Sequence, residues 1–211
     1  GELAAEEAGA AEGGERRPSS YVEALTGSLQ HGPVLAAAVA FACYNIISFS
    51  QSSFKSLIAE DILSPRSSTR GIVIQDAAFG AALGVANLVG GLTLLAYVDR
   101  LGTRLIGLTG FAVAFVCCLA FAVAVWLRRP GTLGPLLILL QMLNAASWGL
   151  LAIACFTVVP LNVPRNVRAG CFSLCAAAGK AGGLLGSSLF PVVEAVGGIQ
   201  AAMLGCSMAA L

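Results

Sequence analysis

Apolar residues arrive in six long runs, over about 33–58, 77–98, 105–127, 135–158, 169–192 and from 199 to residue 211. Each complete run holds about 22–26 residues, and a hydrocarbon core about 30 Å thick is crossed by roughly 20 residues rising 1.5 Å each. The runs therefore predict transmembrane helices. Barrel strands would alternate over about ten residues instead. Short gaps marked by proline or arginine separate the runs: Pro65/Arg66/Arg70, Asp99 to Arg104, Arg128 to Pro130, and Pro160 to Arg168. Gaps this short make consecutive helices antiparallel, so 32–211 is expected to be one all-α transmembrane bundle whose last helix is truncated. Residues 1–31 are expected to be a cytoplasmic linker. Their first twenty are too poor in apolar side chains to fold, and Tyr21, Leu25 and Leu29 predict a short interfacial helix over 21–31.

Composition narrows the class further. Hydrophobic residues make up 57% of the chain and charged ones 11%, against about a quarter charged in soluble domains. A soluble domain is excluded on that ground. The 25 glycines suit helices packed closely in lipid. All seven cysteines fall inside apolar runs and the only histidine is His31, with no CxxC and no Cys/His spacing for a metal. The cysteines read as small buried hydrophobes, and neither metal nor cofactor is expected. Paired acids, HExxH and Ser/His arrangements are missing from the spans, so an intramembrane enzyme is not expected.

Charge in the gaps sets the orientation. Arg16, Arg17, Arg100, Arg104, Arg165 and Arg168 fall on the N-terminal side; Arg66, Arg70, Arg128 and Arg129, with Lys55 near a helix end, fall on the other. By the positive-inside rule the N-terminal side is cytoplasmic, and the plasma membrane is the expected location of this multi-pass protein.

One charge sits inside a run. Lys180 lies about 12 residues past Arg168, roughly 18 Å into a bilayer about 30 Å thick. An ammonium there costs about 2.5–3.5 kcal/mol on insertion scales, which makes it a functional candidate in need of a partner. No acid lies at its depth: Glu60, Asp61 and Asp76 are at span edges, and Asp99 and Glu194 are in gaps. Its partner is therefore a neutral amide, a bound anion or a group outside this chain. Asn45 is about 12 residues into its own span, at matching depth, and Gln51 follows on the same run. Asn87, Gln141 and Asn144 suit interhelical hydrogen bonds. Tyr44 has a hydroxyl but is about 100° round the helix from Asn45.

Three strings carry a family resemblance. Asp99-Arg100-Leu101-Gly102-Thr103-Arg104, after the second span, resembles the loop signature of the major facilitator superfamily. The string Pro160-x-x-x-Pro164-Arg165-x-x-Arg168 followed by Ala177-Ala178-Gly179-Lys180-Ala181-Gly182-Gly183 resembles the phosphate:proton symporters of that superfamily. The stretch from Phe41 to Gln51 is similar to their seventh helix. The resemblance implies a C-terminal six-helix half, with an N-terminal half missing from this chain. It also implies phosphate contact by Lys180 and ligand positions at Phe41, Asn45, Phe49 and Gln51. Asn45 stands where those symporters carry an aspartate and Phe49 where they carry a tyrosine, so the titrating acid and one hydroxyl are absent. Asp99, Arg100, Gly102 and Arg104 are expected to form the gating loop. Gly179, Gly182, Gly183 and Gly186 fall in overlapping small-xxx-small patterns that let a neighbouring helix approach.

The expected function is secondary active transport by alternating access, with inorganic phosphate the first substrate and the bilayer the surrounding partner. A sugar or organic-ion transporter of the same superfamily is the runner-up. A transporter-like receptor or scaffold that does not transport is the competing class. No nucleic-acid partner is expected.

Overall fold

The computed structural model describes residues 32–56, 58, 69–127, 134–163, 165 and 167–211. The expected linker and interfacial helix over 1–31 lie outside the described residues. Four continuous helical stretches resolve into six helices. Helix α1 is Gly32–Ser53. The stretch Thr69–Trp126 is broken once, at Gly102 (φ 75°, ψ 151°), into α2 (69–101) and α3 (103–126). Helix α4 is Gly134–Asn162. The stretch Arg168–Ala210 is broken at Gly198 (φ 74°, ψ 175°) into α5 (168–197) and α6 (199–210).

Both breaks are narrower than the gaps read from the sequence. The Asp99–Arg104 loop contracts to one residue, because a glycine at positive φ reverses helical geometry without the penalty a Cβ would bring. Helix therefore runs up to it on both sides. Likewise α5 continues through Pro191 to residue 197, as transmembrane helices tolerate an interior proline. At the α4–α5 turn, the Arg168 guanidinium donates to the Val163 carbonyl at 3.2 and 3.4 Å, closing the end of α4.

Small residues set which helices touch. A Cβ on Gly182 would collide with the Ala42 carbonyl, and one on Gly186 would stand 2.5 Å from that of Ile46. Helices α1 and α5 thus meet backbone to backbone and run parallel. A Cβ on Gly149 would strike the Asn87 carbonyl, and one on Gly90 the Ala146 carbonyl, which brings α2 equally close to α4. Helix α3 passes α4 in the opposite sense, with Gly107 beside Ala154 and Gly110 beside Leu151. The main core joins Ile47, Phe79, Leu83, Cys118, Phe121, Trp148, Leu151 and Phe190 to the Ile199, Met203 and Cys206 face of α6. A smaller core of Val34, Phe41, Cys155, Val159, Cys171 and Cys175 fills the end where α1 and α5 begin. Large apolar side chains also cover the outside: Leu108, Leu184 and Val196 are 69, 69 and 87% exposed. A helical body apolar inside and out is one solvated by lipid, and among the described residues five stretches are long and apolar enough to span a bilayer.

Candidate functional site

Phe41, Asn45 and Phe49 recur every fourth residue of α1, so they share one face. That face lies on α5. Asn45 Nδ2 and the Phe41 ring border the space beside Gly179, and the Phe49 ring borders that beside Gly183. Phe41 is buried and meets Phe156 edge-on with ring centroids 5.2 Å apart. Half-buried Asn45 donates from Nδ2 to the Phe41 carbonyl at 2.8 Å, so part of its donor capacity serves its own helix. Phe49 is 40% exposed. The Lys180 ammonium stands 5.9 Å from the centre of the Phe49 ring, within the range in which a ring face attracts a cation. Lys180 itself is exposed.

Gln51 does not join this group. Two residues past Phe49, it points about 200° away round the helix. Its side chain is 1% exposed. Asn144 Nδ2 donates to Gln51 Oε1 at 2.6 Å, and Gln51 Nε2 donates to Cys118 Sγ at 3.3 Å. The amide therefore ties α1 to α3 and α4 in the interior, where it is not free to meet a ligand. Asn144 makes the interhelical bond expected of it; Gln141 is also buried, but its Nε2 has no hydrogen-bond partner.

Asp99, Arg100, Gly102 and Arg104 are exposed at the end of the bundle where α1 begins. They lie far along the helices from the mid-depth group. Arg104 and Thr103 edge an apolar crevice of about 380 Å³ that also takes in Pro33 and Asn162.

A feature that sequence reading missed lies on the neighbouring face of α1. Tyr44, Ser48 and Ser52, again four apart, with Lys55 one turn on, line a cleft of about 330 Å³. Across it stand Gly80, Leu83, Gly84 and Asn87 of α2 and Trp148 of α4, and Phe49 forms part of its rim. Trp148 is buried and its Nε1 has no hydrogen-bond partner. The signal was the hydroxyl stripe 44–48–52, one residue out of phase with the stripe of Asn45. Phe49 thus stands between two polar surfaces, the Lys180 ammonium on one side and a hydroxyl-lined cleft on the other.

Among the described residues, six helices with lipid-compatible faces, packed through glycine seams and holding a cleft between α1, α2 and α4, form the body of a multi-pass membrane transporter. The comparison with known families places it: the family described as Sugar (and other) transporter matches residues 63–211, and the chain belongs to that family, within the major facilitator superfamily. The match takes in α2 to α6 with Lys180, whereas α1, with Asn45 and Phe49, precedes it. No curated protein matches the chain.

Proposed function

We propose that this transporter carries a small oxyanion, inorganic phosphate first, by alternating access. The observation that carries the reading is the exposed Lys180 ammonium at mid-depth, held over the rim of a hydroxyl-lined cleft by the Phe49 ring. A tetrahedral oxyanion supplies the charge that an intramembrane ammonium requires and acceptor oxygens for Tyr44, Ser48 and Asn87. Asn45 sits beside the lysine as a neutral orienting amide, and the loss of an acid there leaves any proton coupling to groups outside this chain. A second helical half, also outside it, faces Lys180 and rocks against this one. The side bearing Gly102 is cytoplasmic, in the plasma membrane.

A neutral sugar is the second reading, favoured by the uncharged Tyr44, Ser48, Asn87 and Trp148 lining and by the family description. Uptake into vesicles reconstituted with the full-length protein separates the two. Saturable uptake of radiolabelled phosphate that excess hexose does not inhibit supports the oxyanion. Saturable hexose uptake, untouched by phosphate, overturns it. Specific binding of either solute without uptake identifies a receptor.

A further inference from the structure

Among the described residues Lys55 is the one cation that borders the cleft, at the end remote from the Gly102 break. It follows α1 by two residues, and its Nζ lies 2.7 Å from where a Cβ on Gly80 would be. The missing side chain at position 80 is thus the seat of the ammonium, which rests against the α2 backbone. Asp76, one turn before Gly80 on the same helix, has a buried oxygen, Oδ1, with no hydrogen-bond partner. Among the described residues the neighbouring carboxylate oxygen thus leaves the ammonium unengaged, and Lys55 borders the cleft. Inward from it the lining continues as Ser52, Ser48 and Phe49, then Tyr44, Asn87 and Trp148. By helical rise Phe49 is roughly 9 Å deeper than Lys55, and on its other side stands Lys180.

We infer that Lys55 is a second anion-binding station, at the mouth of the cleft, which holds the oxyanion before it passes along the Ser52–Ser48 hydroxyls to Lys180. Two ammonium groups at different depths, joined by hydroxyl donors, give an anion successive partners with no bare step through the apolar part of the bundle. Asp76 is the competing partner for Lys55. Its negative charge one turn away, unpaired with the ammonium, keeps Lys55 from holding the substrate too tightly for release. The inference rests on the oxyanion reading above.

The test is the concentration dependence of phosphate uptake by the full-length protein in vesicles. Lys55→Gln is expected to raise KM about tenfold with the maximal rate nearly unchanged, the signature of lost ground-state binding. Lys55→Arg, which keeps the charge, restores KM to near the wild-type value. Gly80→Val, which fills the seat, raises KM as Lys55→Gln does. A second readout needs no transport: in Ser52→Cys, which keeps Lys55 and puts a thiol beside it on the cleft lining, phosphate slows reaction of that thiol with a negatively charged thiosulfonate applied from the side opposite Gly102. An unchanged KM in Lys55→Gln, or a thiol rate indifferent to phosphate, overturns the station and leaves the oxyanion reading standing if wild-type uptake is saturable. Wild-type protein that neither binds nor carries phosphate overturns the oxyanion reading itself, and the station with it.

Discussion

A buried amide is safest when both its ends are held, and Gln51 and Asn144 hold each other. Removing one leaves the facing end of the other unpaired in an apolar interior, while Cys118 still holds its far end, at a cost of about 1 kcal/mol within lipid and more where no water reaches. Asn144→Leu is therefore expected to lower the thermal midpoint of the detergent-solubilised protein, and Gln51→Leu to do the same. The double variant should recover part of the loss, since no orphaned amide remains. A double variant as unstable as the two single losses added together contradicts a shared bond. The same pair shows how residue chemistry was read correctly in kind and wrongly in place. Gln51 was legible as a polar group deep in a span. Its separation from Phe49 by two positions, about 200° of rotation, was also in the letters. That rotation takes it from the α5 seam to the interior, a consequence that depends on knowing which neighbours surround α1.

Among the helices, α1 and α5 approach one another closely along a seam of small residues. Gly182 lies against the Ala42 backbone and Gly186 against Ile46, so the seam has no room for a side chain. Gly182→Leu should force the helices apart, with a stability loss of about 1–3 kcal/mol as for other overpacked sites. It should also carry Lys180 away from Phe49, since Gly179 and Gly183 belong to the same seam. Leu184→Ala, at an outward position 69% exposed, is the control and should leave the midpoint nearly unchanged. Equal effects from the two substitutions would sink the seam. These glycines were readable from their three- and four-residue spacing alone. The helix ends were less so. Apolar letters continue on either side of Gly102 and Gly198, and a break one residue wide leaves almost no polar signature. The stripe of Tyr44, Ser48 and Ser52 was hidden for a related reason. Hydroxyls are tolerated on any helix face by bonding back to their own backbone, so a cleft becomes visible only once Asn87 and Trp148 stand opposite.

Over the whole molecule, charge is sparse and sorted. Of the described residues Asp76, Asp99 and Glu194 are the acidic ones, and none is on the α1–α5 seam at the depth of Lys180. Arg100, Arg104, Arg165 and Arg168 gather with Asp99 at the end where α1 and α5 begin, and the cleft with Lys55 opens toward the other end. On the proposed reading an anion finds a graded route along one side of the bundle, with the helix break at Gly102 at the far end of α2. In the proposed mechanism, rocking of such a body exposes the mid-depth lysine to each side in turn. The central claim is that this lysine is what the substrate meets. Its most direct measurement is equilibrium binding of radiolabelled phosphate to the purified full-length protein, comparing wild type with Lys180→Ala and Lys180→Arg at matched folded fraction. A charge-assisted contact of this kind is worth about 1.5–3 kcal/mol, so Lys180→Ala should weaken binding by roughly tenfold or more while Lys180→Arg retains much of it. Phosphate affinity unchanged in Lys180→Ala would contradict the account.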